Sequence, residues 1–355
     1  MGRIILPETI FLAKGDSIAS GNCIPVHMGM AGKYRAQITK GRTGKLKYDT
    51  GWFDNLITNR GLVEYWNLPH YGAFDSGAIG ASCAVGTGNT TPQVTDVGLA
   101  SFTAAAGGTG GTGGGTGYPA PNAQGYVAQV SVPGQPDYVP PYWYMRYIYL
   151  FATGAAAGNL TEVGAYPGGG SPNADLFSRA LILDASGNPT SITVLSDEIL
   201  TVTWELRFYL DVTDHAFSFN LNGSPITGTY RLWNASSQSA NPAAINTSGA
   251  GCTLYSGAMA ASPLTGSPTG TIGNLASNSG AMSFVQFVND IANSGTCYFD
   301  IKGTFPTGNG TGTIQSFSYN QHMWAYQFGA LSSPIIKTAG QQLQVNFRAS
   351  WGRYP

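Results

Sequence analysis

The chain has 355 residues and a formal net charge of −1, and 10% of its residues are charged, against about 25% in ordinary globular domains. Glycine supplies 49 residues, roughly double its usual frequency, and a hydrophobic share of 43% is ample for a packed core. No stretch approaches 18 apolar residues, so the sequence predicts no membrane span. A surface this poor in charge indicates cover by partner proteins, and a polar surface of Ser, Thr, Asn and Gln is the alternative.

The beginning of the chain is basic, because residues 1–60 hold nine lysines and arginines against four acidic residues. Such a segment suits an acidic protein surface or nucleic acid, but it lacks interleaved aromatic residues and any nucleic-acid-binding module. We therefore predict that residues 1–50 are an N-terminal lead-in or docking segment with short strands and no specific nucleic-acid partner. Lys45 and Lys47 are its candidate interface residues.

The next segment contains the one predicted helix, from Asn59 to Asn67. Leu62, Val63 and Trp66 share a face of this helix at spacings of three and four residues. Further along, residues 104–117 form a Gly/Thr tract, which cannot bury enough surface to offset its ordering entropy. We expect this insertion to be a flexible loop or arm. We also expect that this insertion or the Ser/Gly/Asn/Ala-rich segment 233–282, or both, becomes ordered against a neighbouring subunit.

Aromatic residues are dense in the segment Tyr142–Phe151, which predicts a strand with apolar or aromatic side chains on both faces. Four tyrosines are candidate interface residues because exposed tyrosine suits protein contacts: Tyr142, Tyr144, Tyr147 and Tyr149. Two other interpretations stay open. The rings can form the core of a sandwich, or they can stack on sugars.

One pattern occurs twice, in Ile192–Phe208 and in Ile335–Trp351, at a constant offset of 143 residues (335 − 192). Trp204 matches Phe347, and the shared apolar positions lie on one parity, as in a strand with one buried face. No predicted strand is followed by an amphipathic helix, which excludes a parallel α/β fold in practice.

We therefore predict an all-β fold, a jelly-roll-like β-sandwich with two related β-rich lobes. The first lobe would cover residues 51–212, with the Gly/Thr-rich insertion, and the second would cover residues 213–355. Asn222-Gly223 lies between alternating runs and predicts a hairpin in the second lobe.

No cluster in the sequence meets the requirements of a catalytic, cofactor or metal site. Gly15-Asp16-Ser17 resembles an esterase nucleophile block, but no histidine follows an aspartate at the required spacing of three residues. The carboxylate pairs Asp197-Glu198 and Asp211/Asp214 are typical of turns beside strands, although such pairs can also cleave glycosides. We predict no catalytic residue, no cofactor and no metal. The four cysteines, which lack zinc-site spacing, are expected to be free and buried.

Several segments resemble structural proteins of tailed bacteriophages in their hydrophobic and glycine positions. The strings are Val85-Gly-Thr-Gly-Asn-Thr-Thr-Pro92, Thr95-Asp-Val-Gly-Leu-Ala-Ser101, Leu160-Thr-Glu-Val-Gly-Ala-Tyr166 and Leu176-Phe-Ser-Arg-Ala-Leu181, together with Asn55–Leu62, Ile192–Phe208 and Pro334–Arg353. No catalytic motif takes part in the resemblance, so no functional residue carries over.

The resemblance implies a non-enzymatic virion protein, assembled in the host cytoplasm, that belongs to a tail, neck or fibre appendage. Other virion proteins would be its partners. The chain would be a homo-oligomer, as a trimer in a fibre or as a ring in a neck. Two alternatives stay open: a receptor-binding fibre module that recognises host-surface polysaccharide, and a capsule-degrading enzyme.

Overall fold

A computed structural model describes residues 9–11, 23–67, 79–109, 121–131, 133–168, 175–234, 251–261, 266–275, 282–321 and 324–354. Strands make up 58% of the structure and helices 4%, which confirms the predicted all-β class. Helix α1 (Asn59–Asn67) has the predicted bounds, whereas the sequence pattern does not predict the short helix α2 (Ile291–Ser294). The predicted loop or arm is wrong for residues 104–107 of the Gly/Thr tract, which belong to the strand Phe102–Gly107. Residues 110–117 of the tract and the segment Gly15-Asp16-Ser17 lie outside the described residues.

The strands are numbered in chain order. Those before residue 213 are β1 (Thr9–Phe11), β2 (Ile24–Lys40), β3 (Leu46–Asp49), β4 (Phe53–Asp54), β5 (Leu56–Ile57), β6 (Ser82–Gly86), β7 (Phe102–Gly107), β8 (Ala123–Val127), β9 (Tyr142–Leu150), β10 (Gly158–Leu160), β11 (Glu162–Tyr166), β12 (Ser178–Leu181), β13 (Ile192–Val194) and β14 (Glu198–Leu210).

The later strands are β15 (His215–Leu221), β16 (Ser224–Asn234), β17 (Gly251–Tyr255), β18 (Thr271–Leu275), β19 (Met282–Asp290), β20 (Thr296–Phe305), β21 (Gly312–Ile314), β22 (Ser316–Gln321), β23 (Trp324–Gly329), β24 (Ile335–Lys337) and β25 (Gln342–Arg353). Asn222 and Gly223, both at positive φ, turn β15 into β16, so the predicted hairpin is confirmed.

A ten-stranded sheet runs through both halves of the chain in the order β19-β20-β25-β2-β14-β9-β8, with β1, β3 and β4 attached beside this path. Its central strand is β2, which pairs antiparallel with β14 and parallel with β25. A five-stranded sheet, β5-β12-β11-β6-β7, belongs to the first half. A six-stranded sheet, β15-β16-β23-β22-β17-β18, belongs to the second half.

The second half repeats the strand order of the first. Strands β6 to β14 correspond one to one to β17 to β25, because the same pairs are hydrogen-bonded in each series. The offset is 154 residues from Glu162 to Ser316, 148 from Arg179 to Gln327 and 143 from Ile192 to Ile335. It falls in two steps because the connections β11–β12 and β12–β13 are both longer than their counterparts in the second half. The repeat places β14 and β25 in equivalent positions, as their matching sequences predict.

The interpretation of residues 1–50 as a docking segment is wrong for residues 24–40, which form the central strand β2. Val26 and Met28 on this strand are each 1% exposed, whereas Lys33 and Arg35 occupy the opposite parity and face outward. The basic residues dominate the composition of this segment and conceal the alternation of buried and outward-facing side chains along β2. Because β2 pairs with strands from both halves, the large sheet crosses residue 212, and the lobe boundary stays a prediction.

Each half packs the large sheet against its own smaller sheet. The ring of Trp204 on β14 lies 5.4 Å from that of Phe177, which directly precedes β12. The ring of Phe347 on β25 lies 4.4 Å from that of Tyr319 on β22. Trp204 and Phe347 are both 0% exposed, which confirms their predicted core positions. The four cysteines are free and buried, as predicted.

Candidate functional site

The four candidate interface tyrosines of β9 divide between its two faces. Tyr147 and Tyr149 are fully buried; Tyr147 stacks on Trp204 at a centroid distance of 5.6 Å, and the Tyr149 hydroxyl donates to a backbone carbonyl at 2.9 Å. An interface role is therefore wrong for these two, because both belong to the core. Tyr142 and Tyr144 are half-buried on the outer face and remain candidates.

Arginines cover the two outer tyrosines. The guanidinium of Arg207 lies 4.6 Å from the ring centroid of Tyr142, and that of Arg146 lies 5.3 Å from the ring centroid of Tyr144. Both arginines also pair with the carboxylate of Glu205, at 2.7 Å and 2.5 Å respectively. One carboxylate therefore pairs with both guanidinium groups, and this cluster of three side chains keeps a single positive charge.

The two candidate lysines have different surroundings. The ammonium group of Lys47 donates to Oε2 of the buried Glu198 at 2.8 Å, and the ammonium group of Lys40 lies 2.8 Å from Oε1. Lys40 and Lys47 together hold the pKa of Glu198 down at about 2. Lys45 is exposed and has no ion-pair partner among the described residues. Lys45 therefore remains an interface candidate, whereas Lys47 closes an internal ion pair.

The Asp211/Asp214 pair is engaged inside the chain. Asp211 accepts hydrogen bonds from the backbone N–H and the hydroxyl of Thr213 at 2.8 and 2.7 Å, and its other oxygen lies 2.8 Å from Nε2 of His215. Asp214 pairs with Arg231. These contacts are those of a turn between strands, as the sequence pattern indicates.

In the part of the chain that the structure describes, no group of three or more His, Cys, Asp and Glu residues has the arrangement of a metal site. No helix in the same part is both long enough and apolar enough to cross a membrane.

A buried carboxylate fixes residues 87–101, the connection between β6 and β7, which we call the first clamped loop. Glu162 on β11 is 0% exposed. Its Oε1 accepts the N–H groups of Gly88 and Ser101 at 3.0 and 2.7 Å, and its Oε2 accepts that of Ala100 at 3.0 Å. Both ends of the loop are thereby tied to one side chain.

Arg179 completes this clamp from the neighbouring strand β12, where it is 2% exposed. Its Nε donates to Glu162 at 2.9 Å and its Nη1 to Asp96 at 2.7 Å, while Nη2 donates to the carbonyl and hydroxyl of Thr90. A Cβ at Gly88 would lie 2.4 Å from the Glu162 carboxylate, so the loop needs glycine for this close approach.

The second half contains an uncharged counterpart of the clamp. Arg179 pairs with Gly164 across β11 and β12, and Gln327 pairs with Ser318 across the equivalent strands β22 and β23. Gln327 therefore takes the position of Arg179. By the same register, Ser316 takes the position of Glu162.

These neutral residues hold the second clamped loop, residues 256–270, which is as long as the first and of which the structure describes residues 256–261 and 266–270. The Ser316 hydroxyl donates to the carbonyl of Gly257 at 2.6 Å. The side-chain oxygen of Gln327 accepts the backbone N–H of Ala260 at 2.7 Å. Both halves therefore fasten the equivalent loop from the same two strand positions, which are charged in the first half and neutral in the second. In the second half Arg231 on β16 adds hydrogen bonds to the carbonyls of Ala260 and Ala261 at 3.0 and 2.6 Å.

The first clamped loop presents apolar side chains on a fixed backbone. Val94 and Val97 are 37% and 55% exposed, and Phe102 at the start of β7 is 45% exposed. The backbone of each valine is nonetheless tied, because its carbonyl accepts an N–H, from Asn59 at 2.7 Å and from Leu176 at 3.2 Å respectively.

A cavity of about 440 Å³ opens beside the first residues of β2 and the last residues of β14 and β25. Its apolar and aromatic wall comprises Pro133, Tyr138, Pro140, Tyr209, Leu210 and Tyr354. The rings of Tyr209 and Tyr354 stack at a centroid distance of 4.0 Å. A Cβ at Gly29 would lie 2.8 Å from the Tyr354 ring, so glycine at this position lets the ring lie against the sheet.

Two hydrogen-bond acceptors line the same cavity. Burial lowers the pKa of His27, so its ring is neutral near pH 7. Its Nδ1 lies 2.9 Å from the hydroxyl of Ser350, which donates to the carbonyl of Val26, so Nδ1 carries the proton and Nε2 is an acceptor. Burial by itself would raise the pKa of Asp211, but the hydrogen bonds from Thr213 outweigh it, and the net pKa is lowered.

Comparison with protein-family models, with curated proteins and with solved structures finds no match to this chain.

Proposed function

We propose that this chain is a non-enzymatic structural subunit of a bacteriophage virion, part of a tail, neck or fibre appendage that self-assembles. The observation that carries the proposal is the first clamped loop, whose backbone is fixed by buried charges and whose exposed side chains include Val94 and Val97. A surface that is already ordered loses little conformational entropy when a partner covers it. Exposed apolar side chains on such a surface favour that cover.

The residues of the phage resemblance support this interpretation, because they build the clamp. Glu162, Arg179, Asp96 and Gly88 all lie in the strings that carry the resemblance, and all contribute to fixing the first clamped loop. A buried ion pair stabilises a fold little compared with well-packed apolar residues. A motif that maintains such a pair is therefore better explained by the geometry of the loop than by stability alone.

The proposed partners are other copies of this chain and other virion proteins. The assembly would be a trimer in a fibre or a ring in a neck, formed in the host cytoplasm and retained in the virion. The low charge content of the chain supports extensive protein contacts, because charged residues are depleted at the centres of interfaces.

The self-assembly part of the proposal is tested by the double variant Val94→Asp/Val97→Asp, compared with the wild type by size-exclusion chromatography and light scattering. The wild type is expected to be an oligomer. The double variant is expected to dissociate, because two carboxylates would be buried without partners. Ile336→Asp is the control: it places a carboxylate on β24, at a position that is 67% exposed, and should leave the mass unchanged.

Three results would contradict the proposal. The first is a wild-type chain that stays monomeric at every concentration, and the second is a double variant that assembles as the wild type does. The third comes from particles purified from the host: mass spectrometry should detect the chain in a fixed ratio to other virion proteins, and its absence would exclude a virion subunit.

A further inference from the structure

The chain contains two Asn-Gly pairs, Asn222-Gly223 and Asn309-Gly310, and the structure gives them opposite surroundings. Asparagine before glycine is prone to an internal reaction, in which the glycine nitrogen attacks the side-chain amide carbon of the asparagine. Glycine has no Cβ to obstruct this approach. In a folded chain the reaction requires a free side-chain amide, a free glycine N–H and a backbone that can open locally.

Asn222 and Gly223 form the exposed turn of the β15–β16 hairpin, at φ values of 50° and 86°. Among the described residues, the Asn222 side-chain amide and the Gly223 N–H have no hydrogen-bond partner. A Cβ at Gly223 would meet no atom within 4 Å, so the turn lies clear of its surroundings. The pair Leu221–Ser224 closes the turn, and β15 is an edge strand, so the hairpin end can open without disturbing the rest of the sheet.

Asn309 and Gly310 are held by hydrogen bonds at the groups that would have to react. The side-chain oxygen of Asn309 accepts the backbone N–H of Asn274 at 3.2 Å, and its Nδ2 donates to the carbonyl of Asn274 at 3.1 Å. The N–H of Gly310, which is buried, donates to the carbonyl of Ile272 at 3.2 Å. All three hydrogen bonds would have to break before the glycine nitrogen could reach the amide carbon.

We infer that Asn222 is a site of spontaneous deamidation in the folded protein and that Asn309 is protected. The Gly223 nitrogen bonds to Cγ of Asn222, the side-chain nitrogen leaves as ammonia with the proton of the Gly223 N–H, and a cyclic imide forms. One water molecule then opens the imide. Cleavage of its bond to Cγ gives aspartate, and cleavage of its bond to the main-chain carbonyl carbon gives isoaspartate.

Each conversion adds one negative charge to the turn and takes the formal net charge of the chain from −1 to −2. The isoaspartate product also inserts one carbon into the backbone of a two-residue turn, whose length sets the register of the hairpin. The inference does not depend on the proposed function, because the reaction needs only water and the chain itself.

The test incubates the full chain in mildly alkaline buffer, which promotes loss of the glycine N–H proton. Peptide mapping by mass spectrometry then measures aspartate and isoaspartate at both Asn-Gly pairs over time. In the folded chain, Asn222 should convert at least about tenfold faster than Asn309, because each of the three hydrogen bonds at the second pair is worth about fivefold in an equilibrium constant. In denaturing urea the two rates should converge, since unfolding frees both pairs.

Asn222→Gly is the matched control, because Gly-Gly suits the same two-residue turn but lacks the side-chain amide. Isoelectric focusing should show an acidic form that accumulates in the wild type and not in this variant, and thermal melting verifies that the variant is folded. The inference is overturned if Asn309 converts as fast as Asn222 in the folded chain, if Asn222 reacts only in urea, or if the variant acquires the acidic form as quickly as the wild type.

Discussion

Replacing Trp204 by alanine tests how the large sheet packs against the five-stranded sheet. The Trp204 ring is 0% exposed and lies 5.4 Å from Phe177, 5.6 Å from Tyr147 and 6.3 Å from Tyr34. These neighbours come from three different strands or their flanks, so they cannot collapse together into the space. Removal of a buried tryptophan costs about 3–5 kcal/mol in the free energy of unfolding.

The matched control is Trp204→Phe, which places in the first half the residue that Phe347 provides in the second. It keeps most of the ring contacts. It also removes the indole N–H, which has no hydrogen-bond partner among the described residues and therefore carries a penalty of about 1–3 kcal/mol. The relief of this penalty offsets part of the lost apolar volume. We expect Trp204→Phe to lower the free energy of unfolding by less than about 1.5 kcal/mol.

Differential scanning calorimetry measures both variants. With an unfolding entropy of about 2.1 cal/mol/K per residue, a cooperative unit of 355 residues shifts by about 1.3 °C per kcal/mol, so Trp204→Ala should melt about 4–7 °C below the wild type. We also expect a single transition, because β2 pairs with β14 and with β25 and so couples the halves. An alanine variant within about 1 °C of the wild type, or a phenylalanine variant as destabilised as the alanine variant, would refute the packing.

Two further predictions concern charged groups. Arg179→Gln and Glu162→Ser should each lower the free energy of unfolding by about 3–5 kcal/mol, because each leaves a buried charge unpaired. The double variant places the residues of the second half at both positions, and in urea unfolding its loss should be about 1–3 kcal/mol smaller than the sum of the two single losses. Strictly additive losses would contradict the clamp. The hydrogen bonds from Arg35 lower the pKa of Asp49 from 3.8 to about 2. The stabilising contribution of Asp49 is therefore present above about pH 4 and is lost as the pH falls towards 2. Asp49→Asn should flatten the dependence of the free energy of unfolding on pH in that window, and an unchanged dependence would argue against the Arg35–Asp49 pair.

The charged residues of the clamp are visible in the sequence, but the sequence pattern does not identify their partners. Glu162 begins the short apolar strand β11 and Arg179 is the second residue of β12, and a charged residue within such an apolar stretch indicates a buried pair. The sequence does not say which charges meet. Arg179 reaches Asp96 across 83 residues of chain and Glu162 reaches Gly88 across 74, because neighbouring strands in the sheet are distant in sequence.

The tyrosines of β9 show a second property that the sequence pattern does not determine, namely which face of the strand is buried. Alternation places Tyr142 and Tyr144 on one face and Tyr147 and Tyr149 on the other, but aromatic residues occupy both faces, so the pattern does not identify the buried one. The partner strands decide it: Tyr147 lies beside Trp204 in the register between β9 and β14, on the face covered by the five-stranded sheet.

The sequence by itself determined the all-β class, the helix at Asn59–Asn67, and the equivalence of Trp204 and Phe347. Each of these depends on a local period or on a repeat, and side-chain periodicity records which residues face inward. Only the tertiary structure decided that β2 lies at the centre of one sheet shared by both halves. It also decided that Tyr209, Tyr354 and His27 line one cavity. Those features depend on which strands become neighbours, and a period of two carries no information about the partner.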